Sequence, residues 1–389
     1  MPRRSAPWTV AVVGGGPAGS ATALSLARRG VWGIVLFDAE PHEGGTGDRD
    51  PAIGESIPPA ATPVLRELGV LGDMEGDGHL RCPGSQSVWG APRAGFNDFL
   101  FAPEGCGFHL DRALFDARLR QSAAKAGVEV RAGHRLCGVR ADGDGAVLEV
   151  TGPDGVRTAH RADFVVDATG ARGVVTRRLS VARNVLDRLV SECALLDAPP
   201  GAFASDYTLV EATEHGWWYA ARLPRNRLIV SFTSDPGTLR RERLHSAGRW
   251  AEALAGGTRL VGPAVGDALA AGVPALVTRA APVMILSAVV GPGWMAVGDA
   301  ASCWDPLGSA GITKALMHGV AAGEAIADGL DSGFPTGLAA YQDRVFADFT
   351  EHVKLRYRLY GSELRWPGSG FWAARGAPGT GRPRGGAAD

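Results

Sequence analysis

The apolar positions of this chain follow two rhythms: short β-branched runs that end in glycine or an acid, and longer stretches with helical spacing. The first run, Thr9 to Val13, leads into Gly14, Gly16 and Gly19 at G-x-G-x-x-G spacing. Ala23, Leu26 and Ala27 then continue along one helical face as far as Gly30. This pattern predicts a strand, a tight turn and a helix. The second run, Ile34 to Phe37, ends on Asp38, with Glu40 as an alternative acid. Asp38 stands roughly 20 residues past the glycines, where a carboxylate would bond a ribose 2′-OH. The unit reads as βαβ, with N–H groups at the helix start available to a pyrophosphate.

Further along, Val64, Leu65 and Leu68 share a helical face, and Phe99 to Phe101 and Gly107 to Leu110 read as strands. Asp111 is placed to cap a helix containing Leu114, Phe115 and Leu119. Val128 to Val130 and Ala146 to Val150 alternate like strands. Phe164 to Val166 is a buried-type strand ending in Asp167-Ala168-Thr169-Gly170, where a second contact to a nucleotide would come. From Cys193 to Val283 the chain turns β-rich, with runs at 207–211, 217–222 and 228–233 and helical residues at 250–254. Trp294 to Val297 is a strand that stops at Gly298-Asp299, and AASCWDPLGSAG carries the chain into a helix near Ile312. Asp299 reads either as a ligand for a polyol or as a helix cap.

The 389 residues are 45% hydrophobic, enough for one large core or two layered domains, and no apolar run spans a membrane. MPRRSAPW runs straight into the first strand, leaving no room for a secretory segment, so a cytoplasmic protein is expected. The net charge of −1, with acids and bases mixed, argues against a nucleic-acid partner. Five cysteines, never spaced C-x-x-C, suggest neither a disulfide framework nor a metal site.

The order GGGPAGS, HLDRALFDARL, DATG and GDAASCWDPLGSAGI resembles the FAD-binding framework of aromatic hydroxylases, geranylgeranyl reductases and flavin-dependent halogenases. It covers residues 8 to 335. GESIPP, SVWG, GWWYAARLP and DPLGSAGITKAL resemble the halogenase-like branch, which includes flavoproteins that hydroxylate a peptidyl tryptophan and natural-product relatives. Their last motif usually reads D-P-L-S-S-Q-G-I, so Gly308 and Ala310 depart from it. The resemblance implies an α/β fold with a Rossmann-like FAD-binding domain of the glutathione-reductase/aromatic-hydroxylase type. That domain would take residues 1–62, 105–185 and 280–335. An inserted β-rich substrate or lid domain would take 63–104 and 186–279, followed by short C-terminal helices over 336–375 and a disordered tail, 376–389.

The resemblance also implies site roles. Gly14, Gly16 and Gly19 would hold the FAD pyrophosphate, Asp38 the adenosine ribose, Arg112 the phosphates or ribityl chain, and Asp299 the ribityl hydroxyls. Pro306 would anchor the turn that aims the Gly311 and Ile312 N–H groups at the flavin pyrimidine edge. O2 would be co-substrate, with the flavin reduced by NAD(P)H directly or through a separate flavin reductase.

Halogenases of this kind carry a lysine past the GES loop and a G-W-x-W-x-I-P segment. Here the first lysine is Lys125, and Tyr219 stands where the second tryptophan of that segment would. Arginine is no substitute, since it stays protonated and is a poor nucleophile. The expected chemistry is hydroxylation of an electron-rich indole or phenol through a flavin C4a-hydroperoxide. Halogenation, reduction of an isoprenoid-like substrate and a non-redox maturation or binding role are the alternatives.

Glu55, His79, His109 and Asp305 are the candidate catalytic groups. Each has a bland second reading: Glu55 as a cap for the helix after Pro58, His109 as a satisfied core residue, and Asp305 as a brace before Pro306. Trp217, Trp218 and Trp89 are candidate walls of an aromatic substrate pocket. The short chain after the last flavin motif suggests an open site for an aromatic group on a peptide or carrier.

Overall fold

The structure is a computed structural model that describes residues 9–40 and 55–376, apart from 75, 144, 199, 204, 271, 333 and 334. The expected tail beyond residue 376 lies outside the described residues. The chain divides into two compact units. The first comprises Met1–Arg81, Ala102–Asp187 and Pro282–Phe349, and the second Cys82–Phe101, Arg188–Ala281 and Thr350–Asp389. Residues 63–81, expected in the lid, therefore lie with the nucleotide fingerprint.

The first unit is built on a six-stranded sheet with the buried strand Val10–Val13 inside it. Ile34–Asp38 runs parallel on one side and Phe164–Asp167 on the other, with Val13 level with both Phe37 and Asp167. Glu129–Ala132 extends the first side, while Trp294–Ala296 extends the second, with Asp167 level with Ala296. This register brings Gly14, Asp38, Ala168 and the Gly298-Asp299 turn together at the carboxyl ends of the parallel strands. Strand order diverges on either side of Val10–Val13, which is where open α/β sheets bind ligands.

Alternation along the strands gives the sheet two buried faces. Ala11, Val13, Phe37 and Val165 pack on Leu136, Leu148 and Val150 of the antiparallel strands Arg135–Asp142 and Gly145–Thr151. Arg157–Ala162 completes that three-stranded sheet. The fingerprint helix, Pro17–Arg28, packs on the long helix Gly311–Ser332. Their approach depends on small residues. A Cβ on Gly319 would come 2.6 Å from the Ala18 carbonyl oxygen, and one on Gly323 would come 2.6 Å from Ser25 Cβ. Ser25 Oγ also donates to the Val320 carbonyl at 3.2 Å.

The second unit is β-rich. Thr208–Thr213, Gly216–Leu223, Arg227–Ser234 and Arg183–Asp197 form an antiparallel succession, and Gly84–Val88 joins Thr208–Thr213 in parallel. The strand at its edge is Gly95–Asp98 rather than the expected 99–101. Helices Ala247–Gly257 and Val261–Leu269 cover one face, burying Trp218, Phe232, Trp250, Leu254 and Val265 in one cluster. Glu211 fixes the second helix by accepting from the N–H groups of Arg259, Leu260 and Val261 at 2.6, 2.8 and 2.9 Å. Those N–H groups stand at the helix start and lack intrahelical partners, so a buried carboxylate is stable there.

The chain after the flavin motifs is not made of short helices alone. Pro335–Gly361 is a 27-residue helix, followed by the single turn Gly370–Ala373. No described helix is long and apolar enough to cross a membrane.

Candidate functional site

The fingerprint turn behaves as its spacing requires. Gly14 has φ +112°, and a Cβ there would meet the Ala168 carbonyl oxygen at 2.3 Å. A Cβ on Gly19 would lie 1.9 Å from the Gly14 carbonyl oxygen, so this glycine allows the helix to close on the turn. Gly16 is different, because a Cβ there meets nothing within 4 Å. It caps the helix without a side-chain hydrogen bond. The open face above Gly16 is the cradle that a pyrophosphate at a helix N-terminus needs.

Asp38 is buried at its strand end, and Oδ1 accepts from the Glu40 N–H at 3.2 Å. Arg120 lies 3.1 Å from Oδ2, but Oδ2 receives no aligned hydrogen bond. A buried acid oxygen without a donor fits an incoming ribose hydroxyl. Arg120, whose Nη1 also donates to the Gly15 carbonyl at 3.2 Å, is a residue sequence reasoning passed over.

The DATG segment supports the site through its own fold. Asp167 Oδ1 accepts from the Thr169 N–H and hydroxyl, and Oδ2 accepts from the Thr176 N–H at 2.8 Å. Its carboxylate is spent on the loop. Arg183 donates to the Ala171 and Arg172 carbonyls, both at 2.9 Å, a contact no motif announced.

Asp299 sits in the turn Gly298–Ala300 and makes an ion pair with Lys314, Nζ to Oδ1, at 2.6 Å. It does not hold the capping position of that turn, which belongs to Val297. Arg112 is electrostatically coupled to Asp299 and Glu55 as well as to Asp116, whose Oδ2 its Nη2 meets at 3.1 Å. Burial would lower the Arg112 pKa, but these carboxylates outweigh it and hold the guanidinium above its ordinary value. Glu55, Arg112 and Asp299 are thereby drawn into one electrostatic group.

After Asp299 the chain turns through Pro306–Gly308, with Ser309 left-handed at φ +47°. Asp305 caps this turn, its Oδ1 accepting from the Leu307 N–H at 3.0 Å, as its second reading required. The helix then starts at Gly311. Gly308 and Gly311 are exposed, and a Cβ on either meets nothing within 4 Å. The Ser302 and Thr313 hydroxyls nearby in sequence are buried without hydrogen-bond partners. An open helix start with unsatisfied polar groups fits the polar edge of a flavin.

The histidines are placed differently from one another. His109 Nδ1 and Ser56 Oγ share a 2.8 Å hydrogen bond across paired strands, so His109 is a satisfied core residue. His79 lies in the first unit, not in the insertion. Its Nδ1 accepts from the Asp111 N–H at 3.1 Å, while its buried Nε2 has no partner. Burial, opposed by Asp111 and Asp77, lowers its pKa and favours the neutral ring. Glu55 caps neither short helix that follows Pro58, so that second reading is overturned.

The tryptophan expectations need correction. Trp218 is 1% exposed within the core of the second unit, at 4.8 Å from Phe232 and 4.9 Å from Trp250 by ring centroids. Trp217, on the opposite face of the same strand, donates from Nε1 to Tyr360 Oη at 3.0 Å. Trp89 donates to the Leu359 carbonyl at 2.7 Å and packs edge-on against Tyr360 and Trp372. Their rings dock the C-terminal helix and turn. Adjacent large aromatics on a strand cannot both face one pocket, because alternation sends them to opposite faces.

Comparisons with known proteins bear on this geometry. The NAD(P)-binding Rossmann-like domain profile matches residues 12–56, and the tryptophan halogenase profile matches residues 97–233. LodB of Marinomonas mediterranea, named as an FAD-dependent oxidoreductase, is 28% identical over 94% of this chain and 96% of its own. The chain is thus similar to flavin-dependent, halogenase-like oxidoreductases.

Solved structures share the fold. The chain superposes on the flavin-dependent halogenase CmlS with a TM-score of 0.82 at 22% identity, covering 96% of this chain and 68% of that one. The peptidyl tryptophan dihydroxylase QhpG gives a TM-score of 0.76 at 27% identity, with 95% and 79% covered. A brominase of Pseudoalteromonas luteoviolacea that acts on a pyrrole-2-carbonyl carrier protein is 23% identical over 92% of this chain and 89% of its own.

Proposed function

We propose that this oxidoreductase is an FAD-dependent monooxygenase that hydroxylates an electron-rich aromatic ring carried on a peptide or carrier protein. Reduced FAD supplies the two electrons with which O2 delivers one oxygen atom to the ring and leaves the other as water. NAD(P)H, acting here or through a flavin reductase, is the proposed source of those electrons. The chain's own residues bind and orient. Gly14, Gly16 and Gly19 shape the pyrophosphate cradle, Asp38 takes the adenosine ribose, Arg112 meets phosphate charge, and Asp299 meets the ribityl hydroxyls. Pro306, Gly311 and Ile312 set the helix start that favours negative charge on the ring edge.

The observation that carries hydroxylation over halogenation is the state of Lys314. The chain has three lysines, and only this one lies on a flavin motif. Its ammonium is buried and bound to Asp299 and the Ser302 carbonyl, so it is committed to structure rather than offered as a nucleophile for hypohalous acid. A tethered substrate is supported by two relatives, one named for a carrier-bound pyrrole and one for peptidyl tryptophan. Turnover of matched aromatic substrates, free and tethered, with reduced FAD and O2 tests this. Oxygenation of the tethered form is expected, and strong activity on free amino acids alone contradicts it.

A further inference from the structure

We propose that Lys314 is a positioning residue of the flavin site whose buried charge fixes Asp299 and favours reduced over oxidised flavin. The inference rests on the FAD reading above.

Lys314 stands in the first turn of helix Gly311–Ser332, its backbone N–H closing on the Ala310 carbonyl at 2.9 Å. Its side chain is 1% exposed, whereas that of Asp299 is 48% exposed. Nζ bonds Asp299 Oδ1 and the Ser302 carbonyl, and lies 5.4 Å from the centre of the Trp304 ring. An ammonium has three donors and no acceptor, so two oxygens and a π face satisfy it. The pair is open at one end only. The cation is sealed inside, and the carboxylate is presented outward.

Stability alone does not require this arrangement, because replacing a buried ion pair by apolar groups of similar volume is often neutral or favourable. Its electrostatic effect is specific. The neighbouring Cys303 thiol is pushed up to about 12 by burial and by Asp299, so it stays neutral. His318 is held neutral mainly by burial, with Lys314 adding to the lowering and Asp348 opposing it. Lys314 pairs directly with Asp299, and the charge of Asp299 also acts on Arg112. A fixed cation beside a helix N-terminus acts in the same direction as the helix dipole, and both favour an anion at the helix start. Negative charge gathers on the flavin pyrimidine edge upon reduction.

The test is the midpoint potential of the FAD-loaded protein, by equilibration with a reference dye, for wild type, Lys314→Met and Asp299→Asn. The dissociation constant for oxidised FAD is measured alongside by fluorescence quenching. Lys314→Met is expected to lose at least tenfold of the preference for reduced flavin, a potential lower by about 30 mV for a two-electron couple. Asp299→Asn, which leaves the cation unopposed, is expected to shift the potential upward. Unchanged potentials with weaker FAD binding would make Lys314 a structural brace and overturn the proposal, as would shifts of the same sign in both variants. Failure of the wild-type protein to hold FAD at all would instead defeat the flavin reading.

Discussion

Arg120 lies 3.1 Å from Asp38 and donates to the Gly15 carbonyl, so one guanidinium ties the strand-end acid to the glycine turn. Both side chains are about nine-tenths buried, at 11% and 10% exposure. Removing one partner of such a pair leaves a buried charge uncompensated, which costs about 3–5 kcal/mol when burial is complete. Arg120→Ala is expected to lower stability by about 2 kcal/mol or more and to weaken FAD binding, as measured by chemical denaturation and flavin titration.

Two glycines separate binding from folding. Gly16→Val places its side chain in open space, so the variant is expected to fold with an unchanged melting temperature yet lose FAD. Gly19→Ala drives a Cβ into the Gly14 carbonyl oxygen and is expected to destabilise the fold itself. Differential scanning fluorimetry with and without FAD distinguishes the two. Full flavin occupancy in Gly16→Val would contradict the pyrophosphate assignment.

Trp218 is a core residue of the second unit, sealed against Phe232 and Trp250. Its truncation to Ala is expected to cost about 3–5 kcal/mol in equilibrium unfolding. A change in substrate KM with stability intact would restore its pocket role.

Glu363 gives the second unit an acid-sensitive contact. Burial would raise its pKa, but hydrogen bonds from the Arg365 side chain and backbone and from the Gly90 N–H outweigh burial and hold it below the ordinary value. A lowered folded-state value means stability present above the unfolded pKa of about 4.3 and lost as pH falls through the folded value. Glu363→Gln is expected to flatten the decline in melting temperature below about pH 4.5. A decline as steep as in wild type would assign it to other carboxylates.

Most of the flavin framework was legible because it depends on short-range rules. Glycine spacing, an acid at a strand end and a helix after Asp-Pro are local signals, and the strands at Thr208–Thr213, Gly216–Leu223 and Arg227–Ser234 fall within two residues of their sequence readings. What escaped depends on partners distant in sequence. Arg120 meets Asp38 across 82 positions of chain. Lys314 looked like one polar residue in a helical stretch until Asp299, 15 residues earlier, turned it inward. The Trp-Trp pair was misjudged because an apolar aromatic has the same sequence signature in a core as in a pocket. Gly319 and Gly323 stand at G-x-x-x-G spacing, a signal passed over in the sequence, and they set how closely two helices pack.

The most direct test of the central claim is turnover of a tryptophan-containing peptide and a carrier-bound aromatic with reduced FAD, isotopically labelled O2, chloride and bromide together, read by mass spectrometry. The account predicts incorporation of one labelled oxygen atom from O2 and no halogen in the product. A chlorinated or brominated product would contradict it.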